Sequence, residues 1–188
     1  MDAVTLETAR LRLRPFVLAD AADVQRLAGD RAIADTTLNV PHPYADGLAE
    51  AWITGLSAPL AAGTALTFAI TDRADGALLG AIGLHHIVAG HRAEIGYWIA
   101  KFAWGRGYCT EAATEVIRHA FTALGLLRVH SHHLSRNPAS GRVLQKLGMH
   151  HEGRLRGHVR KWGREEDVEL YGMLVDEWRD ERALTSRR

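Results

Sequence analysis

The sequence predicts an α/β fold in which helices cover both faces of a mixed β-sheet. Helices are expected early in the chain, followed by a strand meander and then by strand–helix units. The clearest unit begins with a β-branched and aromatic strand at Ala93–Ile99 and continues through a glycine-punctuated loop into an amphipathic helix that starts near Tyr108. A length of 188 residues indicates one domain, spanning residues 1–188, that is large enough to bury a core.

Local patterns predict the remaining elements. Leu6–Phe16 alternates apolar and basic residues as a half-exposed strand does, and Asp20 is a plausible N-cap for a helix that ends near Ala28. Asp75 and Gly76 indicate a hairpin. The other strands are expected at Leu66–Thr71, Ala77–Val88, Arg128–Leu134, Arg154–Trp162 and Val168–Val175, and the other helices at Leu48–Pro59 and Pro138–Leu147. Ala32–Gly47 is expected to be a loop or a broken helix.

Composition narrows the class of protein. Apolar residues make up 47% of the chain, charged residues 24%, and the net charge is +1, so no global field favours nucleic acid or an anionic membrane. The N-terminal residues lack an apolar signal core, and no run approaches the roughly 18 apolar residues of a membrane span. A single cysteine, Cys109, fits a reducing compartment. We therefore expect a cytoplasmic protein without nucleic-acid or membrane partners.

The start of the helix at Tyr108 has the chemistry of a phosphate site. Gly105 and Gly107 permit a tight turn and close approach of a neighbour, and no Ser, Thr, Asp or Asn directly precedes Tyr108 to cap the first amides. Free amides and the positive end of the helix dipole favour an anion. The alternative is a plain strand–helix turn with two glycines.

Four segments together resemble the GNAT superfamily of acyltransferases, in its RimJ/RimL-like branch. Trp104–Ala112 (WGRGYCTEA) resembles the family's pyrophosphate loop, and Leu6–Phe16 resembles its opening strand. Asn137–Met149 (NPASGRVLQKLGM) resembles its Asn-x-x-Ser segment, with Met149 where the family has Phe, and Asp167–Trp178 resembles its closing strand. The resemblance implies the GNAT fold, with a twisted, mostly antiparallel central sheet, and acetyl-CoA as cosubstrate without a metal.

The resemblance also implies which residues hold acetyl-CoA. The pyrophosphate loop and the strand before it are expected to bind the phosphates and the pantetheine arm, the latter through strand backbone. The expected cofactor-binding residues are Trp98, Ile99, Trp104, Gly105, Arg106, Gly107, Tyr108, Thr110, Asn137 and Ser140. A core role for the Trp98 side chain and a solvated role for Arg106 stay open.

Glu94 is the candidate general base, because an amine must lose a proton before it can attack a thioester. A glutamate here resembles the base of several GNAT enzymes, and partial burial is expected to raise its pKa. Period-2 alternation places it on one face with Gly96 and Trp98. The alternatives are a carboxylate paired with Arg92 or His91, and a base made of water molecules.

Ser140 is the candidate group for the departing thiolate. Many GNAT members use a tyrosine two residues before the lysine of this helix, but that position is Leu144 here. The branch resemblance favours Ser140, which is expected to hydrogen-bond the sulfur or hold a water rather than act as a strong acid. Asn137 before Pro138 suits a helix N-cap, and the resemblance adds a contact with the pantetheine arm.

Other candidates are weaker. Cys109 is expected to be a small buried residue rather than a nucleophile. His130 and His132 share a strand face, but nothing in the sequence completes a metal site around them. A basic run between Arg154 and Arg164 is expected to be a solvated hairpin face or a guide for an acidic acceptor.

The functional expectation is direct acetyl transfer to a primary amine, in a ternary complex. The acceptor is expected to be a protein N-terminus or a small molecule, and a homodimer is possible. The alternative is an acyl-CoA-binding sensor or assembly module without turnover.

Overall fold

The computed structural model describes residues 3–179. It contains strands β1 (Leu6–Glu7), β2 (Leu11–Arg14), β3 (Leu66–Asp72), β4 (Leu78–Val88), β5 (Arg92–Ile99), β6 (Arg128–Leu134), β7 (His150–Lys161) and β8 (Arg164–Leu174). The helices are α1 (Ala21–Ala28), α2 (Arg31–Thr36), α3 (Leu48–Gly55), α4 (Ser57–Ala61), α5 (Tyr108–Thr122) and α6 (Pro138–Lys146). Within the described residues, no helix has the length and apolar character needed to cross a bilayer.

The strands form one open sheet in the order β1-β2-β3-β4-β5-β6-β8-β7. Neighbouring strands are antiparallel except for β5 and β6, which are parallel. The predicted α/β fold with a mostly antiparallel mixed sheet is confirmed.

Two elements that were predicted as continuous are each divided in the structure. The strand predicted at Leu6–Phe16 is a hairpin of β1 and β2, because Thr8 and Leu11 close a turn: the Thr8 amide donates to the Leu11 carbonyl oxygen and the Leu11 amide donates to Thr8 Oγ1. The helix predicted at Leu48–Pro59 is divided into α3 and α4 at Leu56.

Helices pack on both faces of the sheet and create two cores. On one face, α5 buries Ala113, Val116, Ile117, Ala120 and Phe121, which continue into a cluster with the odd-numbered residues of β5. On the other face, α1 and α3 bury Val24 and Ile53, and Trp98 from β5 packs against them. Successive residues of β5 therefore face different helical layers, as strand alternation requires.

β5 and β6 separate part-way along their length. Their parallel pairing covers only Arg92↔Arg128, Ala93↔Val129 and Glu94↔His130. β6 then continues to pair with β8 as far as Leu134, while β5 continues to pair with β4 as far as Ile99. At the branch point, Ser131 Oγ donates to the Ile95 carbonyl oxygen at 2.8 Å. The sheet therefore opens into a wedge beyond Glu94.

A buried ion pair anchors the N-terminal segment to α1. Both terminal nitrogens of Arg14 donate to the Asp20 carboxylate at 2.7 Å, and the Val17 amide donates to the same carboxylate at 2.9 Å. Asp20 is 8% exposed. Burial disfavours its charged form, but these hydrogen bonds outweigh that effect and lower the pKa of Asp20. Asp20 therefore holds Arg14 and Val17, and the predicted N-cap bond from its side chain to α1 is absent.

We expect Asp20→Asn to lower the free energy of unfolding by about 2–3 kcal/mol, because it leaves a largely buried guanidinium without its carboxylate. The contribution of Asp20 is present above the ordinary aspartate pKa, about 3.9, and is lost as pH falls through the lower folded value. Urea titration at pH 7 and pH 3 measures both effects. Asp23→Asn, which breaks the exposed pair with Arg26, is the matched control and costs less than about 1 kcal/mol. Equal losses for the two variants would contradict this assignment.

Candidate functional site

A cavity of about 910 Å³ occupies the wedge between β5 and β6. It is lined by the strand residues from Glu94 to Ile99 and from Ser131 to Leu134, by the starts of α5 and α6, and by α1 and α3 from the opposite layer. The cavity therefore extends from one face of the sheet to the other through the gap that the diverging strands leave.

Backbone groups of β5 point into this gap in alternation. The Ala100 amide donates to the Leu79 carbonyl oxygen of the neighbouring strand, so the even-numbered residues of β5 direct their amides towards β4 and the odd-numbered ones away from it. The amides of Tyr97 and Ile99 consequently face the gap. The backbone contact expected for the pantetheine arm is therefore available at Ile99 but not at Trp98, whose amide points towards β4. The Tyr97 amide faces the gap instead.

The N-terminus of α5 borders the cavity with its amides uncapped by any side chain. Gly107 occupies the N-cap position with φ of 79°, in the left-handed region that favours glycine, and it makes no side-chain capping bond. Gly105, Gly107, Tyr108 and Thr110 all line the cavity, and their contacts with the cofactor remain predictions. Arg106 does not line the cavity, so the contact between its side chain and a phosphate remains a prediction.

Arg10 braces this loop from outside the cavity. Its Nη1 donates to the Arg106 carbonyl oxygen at 3.1 Å, and its guanidinium lies 4.5 Å from the centroid of the Tyr108 ring. Glu111 holds Arg10 in place, accepting from Arg10 Nε at 2.7 Å and from the Thr8 hydroxyl at 2.6 Å. The β1–β2 hairpin therefore fixes the shape of the loop.

Trp104 closes the other end of the loop. Its indole Nε1 donates to the Ile99 carbonyl oxygen at 2.6 Å, while the residue remains 44% exposed at the rim of the cavity. This bond satisfies one of the backbone groups that the missing strand pairing leaves free, and it leaves the Ile99 amide available.

Glu94 lies on the opposite side of the gap from α5, among histidines. Its Oε1 is 3.0 Å from His132 Nδ1, and its Oε2 is 3.8 Å from His130 Nε2. The strand register also places His85 of β4 opposite Glu94. The predicted shared face of His130 and His132 is confirmed, whereas the alternative pairing of Glu94 with Arg92 or His91 is wrong.

The expectation of a raised pKa for Glu94 is also wrong. The hydrogen bond from His132 lowers the pKa of Glu94, burial opposes this effect without cancelling it, and the nearby His130 and His86 add to the lowering. Glu94 is therefore ionised at neutral pH. An ionised carboxylate only accepts hydrogen bonds, so His132 donates its Nδ1–H to Glu94.

Ser140 has a partner that sequence reasoning missed. The Tyr97 hydroxyl lies 3.0 Å from Ser140 Oγ, on the α5 side of the gap, and burial raises the pKa of Tyr97 so that the phenol keeps its proton. Asn137 caps α6 through the Ser140 amide, as predicted, and its Nδ2 donates to the Thr36 carbonyl oxygen. The period-2 pattern would have placed Tyr97 on the α5 face, but it gives no indication of Ser140 as its neighbour.

Cys109 adds no nucleophile, and the histidines described in residues 3–179 form no metal site. Burial raises the pKa of the Cys109 thiol, which disfavours a thiolate and matches the expected role as a small wall residue. Among residues 3–179, no group of three or more His, Cys, Asp or Glu side chains is arranged to hold a metal ion.

The loop that follows α2 covers the cavity and is held by the β7–β8 hairpin. Lys161 is 7% exposed, and its ammonium donates to the Thr37 and Leu38 carbonyl oxygens at 2.5 and 3.3 Å. Burial lowers the pKa of Lys161. The basic run thus contributes a structural cation to the cavity roof, and Arg154 within it pairs with Asp167.

Comparison with known proteins identifies the family to which this chain belongs. The Acetyltransferase (GNAT) domain matches residues 10–150. The putative ribosomal N-acetyltransferase YdaF of Bacillus subtilis is 38% identical over 109 residues, which cover 57% of this chain and 60% of YdaF. The chain thus spans less than two thirds of the length of that relative.

Two further relatives extend over nearly the whole chain. The uncharacterized N-acetyltransferase p20 of Bacillus licheniformis is 31% identical over 176 residues, covering 93% of this chain and 98% of p20. The structure of Mycobacterium smegmatis RimJ in complex with CoA-disulfide superposes with a TM-score of 0.81 at 26% identity, covering 93% of this chain and 88% of RimJ. The chain belongs to the GNAT family of acetyltransferases, among relatives of the RimJ/RimL type.

Proposed function

We propose that this protein transfers an acetyl group from acetyl-CoA to a primary amine by direct attack in a ternary complex. One observation carries the proposal: a single cavity connects the uncapped N-terminus of α5 on one face of the sheet with Glu94 on the other. Donor and acceptor can then meet in the gap between β5 and β6.

The donor binds on the α5 side. The pyrophosphate accepts from the free amides at the N-terminus of α5, and the pantetheine arm extends along β5 as a substitute for the missing strand partner, pairing with the amides of Tyr97 and Ile99. The RimJ relative binds a CoA species. Acetyl-CoA fits the same chemistry here.

The acceptor amine arrives as an ammonium with a pKa near 10 and must lose a proton. The ionised Glu94 attracts the ammonium, and Glu94 together with His132 accepts its proton. Because the lowered pKa makes Glu94 alone a weak base, we assign the final proton to the His132 imidazole that Glu94 orients. Glu94 thus acts as counter-ion and orienting group.

The hydroxyls of Tyr97 and Ser140 stabilise the leaving sulfur by hydrogen bonding. The amine nitrogen bonds to the acetyl carbon and the C–S bond breaks. The nitrogen then loses its second proton, which Ser140 passes to the departing sulfur to give the CoA thiol. Ser140 donates to the sulfur while the protonated Tyr97 donates to Ser140, so that a weakly acidic serine is supported by a phenol. This pair takes the role of the tyrosine that Leu144 replaces.

The acceptor is the α-amine of a protein N-terminus or a small-molecule amine. The relative YdaF is named a putative ribosomal N-acetyltransferase, and small amines have the same reacting group as a protein N-terminus. Because the cavity opens on the face opposite to the donor loop, both kinds of acceptor can reach Glu94.

Calorimetry with acetyl-CoA, followed by thiol release on adding amines and N-terminal peptides, tests the proposal. We expect binding and turnover for the wild-type protein. Gly107→Ala weakens acetyl-CoA binding at least about 10-fold, because a side chain at φ of 79° distorts the anion site. Gly90→Ala carries similar strain, at φ of 65° in the β4–β5 turn outside the cavity, and leaves binding unchanged. Acetyl-CoA binding without turnover of any amine would favour the sensor function instead.

We expect Glu94→Gln to lower kcat/KM for the amine about 100-fold with an unchanged acetyl-CoA affinity, since it removes the counter-ion and the group that orients His132. Because Glu94 stays ionised at neutral pH, the loss persists from pH 6 to pH 9 in steady-state assays. Glu115→Gln, which breaks the ion pair with Arg118 on α5 outside the cavity, is the matched control and retains full activity. A kcat/KM for Glu94→Gln that equals the wild-type value throughout this pH range would remove Glu94 from the mechanism.

Tyr97→Phe and Ser140→Ala are each expected to lower kcat about 10-fold, because each one breaks the hydroxyl pair that serves the sulfur. The double variant is expected to lose little more than either single one, since coupled groups are not additive. Single-turnover thiol release measures all three. Fully multiplicative losses would show that the two hydroxyls act independently.

A further inference from the structure

The half of the cavity opposite the donor loop has an apolar and aromatic wall. The side chains on this wall come from α1, α2, the loop after α2, α3 and β5: Val24, Ile33, Val40, Tyr44, Trp52 and Trp98. Trp52 is held edge-on against Phe16, with ring centroids 4.8 Å apart and planes at 70°. The wall is therefore a fixed surface rather than a set of solvated side chains.

Within residues 3–179, the lining of this part of the cavity contains one anionic side chain. Among the described residues that line the cavity, Glu94 is the sole carboxylate. His85 lies opposite it, and burial lowers the pKa of His85, which keeps that ring neutral at pH 7. Arg142 and Lys146, the cations of the lining, belong to α6 on the donor side. One ammonium can be matched here, and a second would be desolvated against apolar groups without a partner.

The roof of the cavity keeps this wall in place. The Lys161 ammonium fixes the carbonyls of Thr37 and Leu38, and Asn137 fixes the carbonyl of Thr36. The loop that carries Val40 and Tyr44 begins at these anchored residues. An apolar group that enters beside Glu94 therefore meets a surface that is already formed, so little ordering opposes its binding.

We propose that the preferred acceptor is a monocationic primary amine that carries an aromatic or branched apolar group. This inference rests on the acetyl-transfer function proposed above. The ammonium lies at Glu94 and the apolar group packs on Trp52, Tyr44 and Val40. A free arylalkylamine and the N-terminal residue of a peptide share this chemistry, whereas polyamines and hydroxylated amines do not.

Thiol release at saturating acetyl-CoA, over a matched set of amines, tests the inference. The probes are 2-phenylethylamine, ethanolamine and spermidine, with the tripeptides Phe-Ala-Ala and Ser-Ala-Ala to separate free amines from N-termini. We expect kcat/KM for an aromatic probe to exceed that of its hydroxylated counterpart at least about 10-fold, the gain from burying one ring, and spermidine to be the poorest acceptor. A preference for the aromatic member of the amine pair identifies free amines as the acceptor, and the same preference in the tripeptide pair identifies peptide N-termini. Either preference supports the inference.

Substitutions at Trp52 and Val40 test whether the apolar wall causes the preference for aromatic acceptors. Trp52→Ala reduces the aromatic-over-hydroxylated ratio at least about 5-fold through KM, and Val40→Asp, which adds a second carboxylate without deleting a large side chain, raises the relative rate with spermidine. Phe102→Ala, an exposed aromatic outside this cavity, leaves the ratio unchanged. The second variant keeps the test informative if Trp52→Ala does not fold.

The experiment distinguishes failure of the acceptor inference from failure of the proposed acetyl transfer. Turnover that favours spermidine or the hydroxylated probes, or that is equal for all probes, overturns the acceptor inference and leaves acetyl transfer intact. Thiol release with none of the probes, in a protein that binds acetyl-CoA, overturns the transferase function and the inference together.

Discussion

The separation of β5 from β6 beyond Glu94 is the constraint on which the site depends. Pairing stops because β6 follows β8 while β5 follows β4, and the branch is held by the bond from Ser131 to the Ile95 carbonyl oxygen. Unpaired strand amides are costly unless something satisfies them. Trp104 satisfies one carbonyl group, and the amides of Tyr97 and Ile99 are left for a ligand. The gap also removes the barrier between the two faces of the sheet.

The two faces divide the chemistry between them. The α5 face has the helix N-terminus and the hydroxyls of Tyr97 and Ser140, which suit an anionic donor and its sulfur. The α1–α3 face has Glu94 with its histidines and the apolar wall, which suit a single ammonium next to an apolar group. Strand alternation alone produces this division, because neighbouring residues of β5 must point to opposite sides. A long ligand on one face and a short one on the other can then react in the gap.

Much of this arrangement could be predicted from local sequence signals, and the remainder could not for a definite physical reason. The helix starting at Tyr108 has strong periodicity, and the structure places both this helix and the strand Arg128–Leu134 at the predicted residues. The partners of Glu94 and Ser140 depend instead on the sheet order and on how α6 packs, which no local pattern contains. The pKa of Glu94 was therefore predicted in the wrong direction, since His132 becomes its neighbour only through the β5–β6 register.

The most direct measurement of this account is amide hydrogen exchange on β5 with and without acetyl-CoA. Strand alternation predicts that the amides of Gly96 and Trp98, paired with β4, are protected in the free protein, and that those of Tyr97 and Ile99 gain protection when acetyl-CoA binds. Protection gained at Tyr97 and Ile99 alone would place the pantetheine arm in the gap. Acetyl-CoA binding that leaves these two amides unchanged would contradict the role assigned to the separated strands.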